Sequence, residues 1–368
     1  MEKESNDNFE IMIVGGGPAG ISTWLHLNKL QPELAKKTII IEKKKHPREK
    51  ICGGGVGAWS HFILNNLDVD LDIPHLDVSH VEFIYRDESF NLHQKNCFKM
   101  VDRKLFDDNL LRIGKKRGLK INENEEFIDF KHKDNGIIVE SDKSLYKVKS
   151  LIGADGSLSS VRKRMNLNNA NNLSPTLEVF AQNNPKIDQE HNSKKITIDL
   201  NCIDAGIQGY IWHVPSIIEN KKYIGHGMAH FRLHKDKPKP NMKKIFEKVL
   251  LSRNIRIDQK NWLSHPIRWP SENDVISKPN VFLIGDAVGI EPAFGGGIHF
   301  ALSYGELAAF ALMDAFENNN FSFKGYKEIY NSHLVGKFIK KCHRVASEMY
   351  DNKLHPLDGA KEVFTVKK

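Results

Sequence analysis

The feature that most constrains the fold is an apolar run followed at once by a glycine-rich turn near the N-terminus. Residues 10–14 form a short, β-branched and largely apolar run that leads directly into Gly15-Gly16-Gly17-Pro18-Ala19-Gly20. In a GxGxxG turn the first glycine forms the tight turn, the second admits a pyrophosphate, and the third lets the following helix lie against the strand. The segment therefore predicts strand, turn and helix, with the helix amides directed at a phosphate.

An acidic residue, Glu42, follows the strand, turn and helix at the distance typical of nucleotide-binding units of this kind. Proline at position 18 suits the first helical turn, and the helix is followed by a second apolar strand, residues 38–41, that ends at Glu42. This acid lies about 20 residues beyond Gly20, where it accepts hydrogen bonds from a ribose diol. The unit predicts an ADP-containing cofactor bound at the glycine turn and at Glu42. A structural turn in another kind of α/β protein is the alternative.

Length and charge limit how large a hydrophobic core the chain can bury and which classes of molecule its surface can attract. With 368 residues the chain can bury a sizeable core and form two packed domains. The net charge of +8 and the isoelectric point near 9.0 come from Lys and Arg closely interleaved with Asp and Glu, so no specific nucleic-acid partner is predicted. One basic run, Lys43-Lys44-Lys45 with Arg48 and Lys50, is interpreted either as a contact for phosphates or an acidic membrane surface, or as a solvated loop.

The cysteine pattern and the N-terminus predict a cytoplasmic protein. Cys52, Cys97, Cys202 and Cys342 show no CxxC spacing, and the polar N-terminus has no signal-peptide pattern. No run approaches the roughly 18 consecutive apolar residues that span a bilayer, and contact with a membrane surface stays open. The histidines lack the spacing of metal ligands, so no metal site is predicted.

Two features after the first unit are expected to meet the same cofactor. The run Cys52-Gly53-Gly54-Gly55, followed by Gly57, is a glycine-rich loop without an apolar strand before it, which indicates backbone lying against a flat or bulky group. A mobile surface loop is the alternative. A helix is predicted to begin at the N-cap Asp102, and Arg103 stands in its first turn, where a cation opposes the helix dipole. Arg103 is therefore expected to bind something else, such as a phosphate.

Two later apolar strands end in an acid next to a glycine. One runs into Asp155-Gly156 and a serine-rich helix start, and the other runs into Gly285-Asp286. After the second come Pro292, the triplet Gly295-Gly296-Gly297 and a helix that begins at Ile298. Both segments predict a return of the chain to the first sheet, and the second predicts a further site for phosphate or ribityl groups.

The remaining strand segments alternate apolar and polar residues, which is typical of antiparallel sheet and suits a wall over a substrate cavity. The predicted fold class is α/β, α+β overall, with a Rossmann-like cofactor-binding domain and an interleaved antiparallel-sheet substrate domain. The predicted bounds are 1–76, 99–176 and 271–316 for the cofactor domain, 77–98 and 177–270 for the substrate domain, and 317–368 for C-terminal helices.

Three signatures in this order, at residues 15–20, 153–156 and 285–286, resemble the flavoprotein monooxygenase superfamily with the p-hydroxybenzoate hydroxylase fold. The runs at 47–55, at Tyr210-Ile211-Trp212-His213-Val214-Pro215 and at 285–298 resemble the geranylgeranyl reductase family. In that family the middle run reads Tyr-x-Trp-x-Phe-Pro and is usually followed by Lys. This chain has Val and Ser at those two positions, which leaves the lipid substrate open.

The resemblance implies that the cofactor is FAD, with NADPH or NADH as a transient electron donor. It places the glycine turn at the pyrophosphate, Glu42 at the adenosine ribose, Arg103 and Asp286 at the phosphate or ribityl region, and the glycine triplet at the flavin edge. Asp155 would support both FAD and the nicotinamide. The cofactor-binding residues so assigned are Gly15, Gly17, Pro18, Ala19, Gly20, Glu42, Lys43, Arg48, Cys52, Gly53, Gly54, Arg103, Asp155, Gly156, Gly285, Asp286, Pro292, Gly295, Gly296, Gly297 and Ile298.

The activity implied is reduction of carbon–carbon double bonds in an isoprenoid or other apolar small molecule, with a hydride from the flavin and a proton from an acid. Cys52 is the candidate acid or gate, and Tyr210 and Trp212 are candidates to line an apolar channel. The alternatives are an inert buried cysteine and ordinary sheet packing.

Three other functions remain possible for the same set of residues. An oxygen-using hydroxylase would keep the same FAD and NAD(P)H sites. A flavin-dependent halogenase is less favoured, because Tyr210 replaces the first Trp of its Trp-x-Trp-x-Ile-Pro run and no matching catalytic lysine is found. A prenyl-binding protein without catalysis is the third, and the retained Glu42, Asp155 and Asp286 argue against it. The sequence does not decide the oligomeric state.

Overall fold

The computed structural model describes residues 3–4, 9–134, 136–167, 172–219 and 221–365. Within these residues the strands are, in chain order, β1 (Lys3–Glu4), β2 (Ile11–Val14), β3 (Thr38–Glu42), β4 (Gly55–Gly57), β5 (His75–Tyr85), β6 (Glu88–Val101), β7 (Lys120–Glu123), β8 (Phe127–Lys133), β9 (Gly136–Ser141), β10 (Ser144–Val148), β11 (Ser150–Gly153), β12 (Leu173–Ser174), β13 (Thr176–Gln182), β14 (Lys195–Asp199), β15 (Ile211–Ile218), β16 (Lys221–Ala229), β17 (Ile267–Arg268), β18 (Ser277–Lys278) and β19 (Val281–Leu283). The α-helices are α1 (Pro18–Leu30), α2 (Pro32–Lys36), α3 (Ala58–Asn66), α4 (Arg103–Lys116), α5 (Ser160–Arg164), α6 (Met242–Ser252), α7 (Gly297–Glu317), α8 (Tyr326–Ser332), α9 (Leu334–Tyr350) and α10 (Pro356–Phe364).

The first sheet brings the three signature turns to one edge. Its strand order is β18-β19-β11-β2-β3-β7, and all neighbours except β18 and β19 run parallel. Val14 is in register with Ile41 on one side and with Gly153 on the other, and Gly153 is in register with Leu283. Because parallel strands end at the same edge, the turns that follow β2, β11 and β19 lie side by side, where open α/β sheets bind ligands.

Two helices cover this sheet and fix the position of the glycine turn. Helix α1 begins at Pro18, as predicted, and is almost wholly buried. It lies against α7 so closely that a Cβ on Gly305 would stand 2.3 Å from Ser22 Oγ, and Ser22 Oγ donates a 2.8 Å hydrogen bond to the Leu302 carbonyl. The start of α7, at the glycine triplet, is therefore held in a fixed relation to α1.

The second large sheet has the order β13-β16-β15-β14-β5-β6-β4. Its neighbours are antiparallel except for β14 and β5, which run parallel. The prediction of a purely antiparallel sheet is therefore wrong at this one pair. Alternation of apolar and polar residues shows that a strand has one buried face, but it carries no information on the direction of a neighbour that lies more than a hundred residues away.

The C-terminal helices complete the core of the second sheet. Cys342, Met349 and Leu357 from α9 and α10 belong to the same buried apolar cluster as Phe83 and Tyr210 from the sheet. A smaller sheet, with the order β1-β10-β9-β8, and a short pair, β12 with β17, complete the strand structure of the described residues. The α/β fold class is confirmed, and the domain bounds stay a prediction.

Among the described residues, no helix combines the length and the apolar character needed to cross a membrane. The same residues contain no cluster of three or more His, Cys, Asp or Glu side chains suited to hold a metal ion.

Candidate active site

The glycine turn forms a cradle that is closed on two sides and open on the third. Gly15 has φ +111°, and a Cβ there would lie 2.4 Å from the Ala154 carbonyl oxygen, so only glycine fits. A Cβ on Gly20 would lie 2.1 Å from the Gly15 carbonyl oxygen. A Cβ on Gly17 would instead meet one neighbour, Arg48 Nη2, at 3.4 Å. The backbone at Gly17, just before α1, therefore has free space on its Cβ side, and no acidic residue stands in the first turn of the helix.

Glu42 ends β3 beside this cradle. Its Oε2 accepts a 2.8 Å hydrogen bond from the Gly16 amide, and its Oε1 accepts a 2.9 Å bond from the Lys44 amide. The side chain is buried, and its carboxylate is thus held in a defined orientation by backbone donors. This orientation suits acceptance of further hydrogen bonds from a ribose diol.

Two arginines flank the cradle, of which Arg103 is buried and Arg48 is partly buried. Arg103 donates from Nε and Nη2 to the two carboxylate oxygens of Asp107 at 3.0 and 3.1 Å, and Arg48 Nη2 lies 3.3 Å from Asp107 Oδ2. The Nε of Arg48 is buried and has no hydrogen-bond acceptor among the described residues. This Nε lies 3.8 Å from Glu42 Oε1, and the Nη2 of the same group borders the space beside Gly17, so the guanidinium is placed to contact an anionic oxygen of a ligand.

The third signature turn completes this side of the site. Gly285 has φ +58°, and a Cβ on it would lie 2.8 Å from the Ala19 Cβ, so this turn lies directly on the start of α1. Lys50 Nζ donates a 2.7 Å hydrogen bond to His265 Nε2. Burial lowers the pKa of His265 to about 4. Burial also lowers the pKa of Lys50, and the negative charge of Asp286 partly offsets this change. His265 is therefore neutral and accepts this bond at neutral pH.

The opposite side of the site is an aromatic wall, which we define as Tyr210, Trp212 and Val214 on and next to β15. A Cβ on Gly295 would stand 1.9 Å from the Tyr210 hydroxyl oxygen. A Cβ on Gly53 would stand 3.6 Å from Val214 Cγ2 and 3.7 Å from Trp212 Nε1. The structure therefore brings the Cys52 loop, the aromatic wall and the glycine triplet into one place.

The loop before α7 is folded around a carboxylate that the sequence analysis did not single out. Glu291 is 3% exposed and accepts hydrogen bonds from the amides of Ala293, Phe294 and Gly296. Burial raises the pKa of Glu291, while these backbone donors oppose the rise. Glu291 thereby shapes the turn that places Gly295 against Tyr210.

A family model described as an FAD binding domain matches residues 8–303. This chain belongs to the FAD binding domain family. The match includes all three signature turns and β13 to β16 of the second sheet, so FAD is the cofactor that this arrangement of turns binds.

Similar proteins support the resemblance seen in the motifs. Digeranylgeranylglycerophospholipid reductase 3 of Methanosphaera stadtmanae is 23% identical over 367 residues, which cover 95% of this chain and 89% of that protein. The solved structure of a geranylgeranyl bacteriochlorophyll reductase-like protein from Thermoplasma acidophilum matches with a TM-score of 0.73 at 18% identity, over 96% of this chain and 90% of that one. The halogenase PltM, solved with phloroglucinol and FAD, matches with a TM-score of 0.71 at 16% identity, over 95% and 78% of the two chains. The predicted resemblance and fold are confirmed, and the solved structures show the fold alone.

The geometry fits FAD at its phosphate and ribose ends. Gly17 leaves room for a pyrophosphate, the buried Nε of Arg48 lacks an acceptor, and Glu42 is oriented for a ribose. On the side of the aromatic wall, the backbone of Gly53 and Gly295 packs directly against Val214 and Tyr210, so the two glycine-rich loops and the wall adjoin each other.

Several predicted cofactor residues have partners within the protein. Asp155 accepts hydrogen bonds from Ser159 Oγ at 2.5 Å and from the amides of Ser160 and Val161, so it caps the start of α5. Arg103 is paired with Asp107 one turn along α4, which explains a cation in the first turn without a ligand. Lys43 is exposed. Cofactor roles for these residues stay predictions.

Four residues beside the site were not predicted from the sequence: Glu178, Glu291, Asp107 and Trp59. Trp59 stacks on His299 with ring centroids 5.2 Å apart, and burial lowers the pKa of His299 to about 4. Asp107 was the one of the four that could have been predicted most readily, because an acid four residues after a helical arginine is a common intrahelical ion pair.

Proposed function

We propose that this protein is an FAD-dependent reductase that uses NADPH or NADH to reduce carbon–carbon double bonds in an isoprenoid lipid. The single observation that carries the proposal is the position of the aromatic wall, which faces the Cys52 loop at Gly53 and the glycine triplet at Gly295. An apolar chain lying on this wall would be in contact with both glycine-rich loops of the FAD side. The digeranylgeranylglycerophospholipid reductase name of the Methanosphaera stadtmanae relative supports this substrate class.

The protein's own residues supply position and exclusion of water. When bound, FAD would supply the redox chemistry, taking two electrons from the nicotinamide and giving them to the alkene as a hydride. The α1 amides and Arg48 would hold its phosphates, and Glu42 would hold its ribose. Tyr210 and Trp212 offer broad apolar rings, each with one polar edge, against which an alkene chain can be positioned while water is kept out.

Cys52 remains the predicted acid or gate of this site. Its Sγ accepts a 3.4 Å hydrogen bond from the Gly54 amide. The side chain is partly exposed, in contrast to the buried Cys97, Cys202 and Cys342. Substitution of Cys52 by serine or alanine would separate a role as acid from a role in shaping the loop, because serine keeps a hydrogen-bonding group of similar size.

The experiment is turnover without oxygen. The purified protein, loaded with FAD, is supplied with NADPH or NADH and with vesicles that contain digeranylgeranylglycerophospholipid, and the lipid is analysed by mass spectrometry. We expect products with two added hydrogens for each reduced double bond. Products that contain added oxygen, together with complete arrest in the absence of oxygen, would identify a hydroxylase instead.

A further inference from the structure

A row of three residues crosses the second sheet behind the aromatic wall. Gly227 on β16 is in register with Trp212 on β15 and with Glu178 on β13. Residues directly opposite each other in an antiparallel sheet point to the same face, so all three lie on the face that meets the Cys52 loop. A Cβ on Gly227 would stand 2.0 Å from Trp212 Cζ2. The indole therefore lies over Gly227 and extends to Glu178.

Glu178 is a buried carboxyl group without a cation. The residue is 2% exposed, and no described Lys, Arg or His forms an ion pair with it. Among the described residues the one hydrogen-bond donor to its carboxyl is the Trp212 indole, at a long Nε1···Oε1 distance of 3.4 Å. A carboxylate buried without a positive partner is costly, so the group favours its neutral, protonated form. Burial raises the pKa of Glu178 to about 7, and the indole opposes the rise.

The titratable groups around Glu178 belong to the active site. Burial raises the pKa of Tyr210, and the charges of Glu291, Cys52 and Glu178 add to the rise. His213 and His226 hydrogen-bond to each other at 2.7 Å. They stand next in sequence to Trp212 and Gly227, so by strand alternation they lie on the opposite face of the sheet. Glu178 therefore lies on the face of the sheet that carries the aromatic wall, and the histidine pair lies on the other face.

We propose that the Glu178 carboxyl, and not the Cys52 thiol, holds the proton that completes reduction of the double bond, which leaves Cys52 the role of gate. This rests on the proposed function. The hydride from the reduced cofactor, with electrons that originate in NAD(P)H, forms one C–H bond as the π bond breaks. The proton of Glu178 moves to the other carbon and forms the second C–H bond. The carboxylate that remains takes a proton from water before the next turnover.

The alternative is that Glu178 only anchors the Trp212 ring. The variant Glu178→Gln separates the two, because its amide oxygen still accepts the indole hydrogen bond but the side chain cannot release a proton. Glu88→Gln, an exposed position on β6 of the same sheet, is the matched control. Trp212→Phe identifies the Trp212 signal in spectra of the protein.

The first measurement needs neither substrate nor turnover. The indole N–H resonance of Trp212 is followed by NMR against pH in protein labelled with 15N-tryptophan. We expect it to titrate with a midpoint near neutral pH in the wild type and in Glu88→Gln, and to be independent of pH in Glu178→Gln. An unchanged titration in Glu178→Gln would overturn the assignment of the proton to Glu178.

The second measurement is a single turnover without oxygen, in which the reduced protein is mixed with digeranylgeranylglycerophospholipid vesicles. Loss of a general acid typically costs about 10²- to 10⁴-fold in rate. We expect a loss in this range for Glu178→Gln, with reduction of the flavin by NADPH and its oxidation by ferricyanide both unchanged. A wild-type rate and pH profile in Glu178→Gln would overturn this inference alone, whereas failure of the wild type to reduce the lipid would overturn the proposed function and this use of the proton together.

Discussion

The Tyr210 hydroxyl lies directly against the backbone of Gly295, so that a Cβ at position 295 would stand 1.9 Å from the hydroxyl oxygen. Tyr210 belongs to the second sheet and Gly295 to the loop before α7. Their contact joins the predicted substrate wall to the FAD-binding side of the molecule, and it leaves no room for a side chain at position 295.

Substitution Gly295→Ala should therefore disturb the FAD site. The φ of +71° at this position costs a non-glycine residue about 1–3 kcal/mol. The clash of the new methyl group with the Tyr210 hydroxyl adds to this cost. Gly118→Ala is the control, because Gly118 has φ +102° and nothing within 4 Å of its Cβ position. We expect a greater loss of thermal stability and of bound FAD in Gly295→Ala than in Gly118→Ala. Equal losses in the two variants would mean that the contact with Tyr210 has no influence.

Arg48 should contribute strongly to FAD affinity. A hydrogen bond between charged groups contributes about 1.5–3 kcal/mol, so Arg48→Met is expected to raise the Kd for FAD by roughly 10- to 100-fold in a titration of the apoprotein. Asp107 keeps its partner Arg103 in this variant. Arg112→Met, which removes an exposed arginine paired with Asp108 on α4, should leave the Kd unchanged.

The stability of the protein should depend on pH through Glu178. Burial raises the pKa of this carboxyl from 4.5 to about 7, so the folded state binds a proton that the unfolded chain has released over this interval. The contribution to stability is complete below about 4.5 and is lost as the pH rises through about 7, with a total of about 3 kcal/mol. Urea unfolding at several pH values should show that the stability of Glu178→Gln rises relative to that of the wild type by this amount from pH 4 to 8. A difference that does not change with pH would contradict the raised pKa.

Substitution Gly227→Ala should displace the Trp212 ring and leave the glycine turn and Glu42 in place. Gly227 does not have a positive φ, so the obstacle to a side chain is the indole itself, 2.0 Å from the Cβ position. We expect lower stability and slower lipid reduction, with FAD content retained. The double variant Gly227→Ala with Trp212→Leu should lose less unfolding free energy than the two single variants lose together, because residues in contact are not additive. Simple additivity of the two changes in unfolding free energy would contradict the placement of the ring.

The parts of the fold that depend on local sequence could be predicted. The turn at residues 15–20, the start of α1 at Pro18 and the N-cap Asp102, which accepts from the Lys104 amide, each depend on residues within a few positions of one another. The parallel pairing of β5 with β14 could not be predicted, because the two strands are separated by more than a hundred residues that include β7 and β11 of the first sheet.

The missed acids show why part of the site was not visible in the sequence. Glu178 lies in an alternating strand, and the pattern alone does not decide whether a charged residue faces solvent or a cavity. Its significance comes from Gly227, which lets the Trp212 ring reach it across another strand. Glu291 acts on amides within five residues of itself, and an acid directly before Pro292 and the glycine triplet was the available signal.

We propose that the bound flavin reduces an apolar double bond and does not activate oxygen. The most direct test measures, in the strict absence of oxygen, the amount of NAD(P)H consumed against the double bonds lost from digeranylgeranylglycerophospholipid. We predict continued turnover with one nicotinamide oxidised for each double bond reduced. Complete arrest without oxygen, or nicotinamide oxidation with the lipid unchanged, would contradict the account.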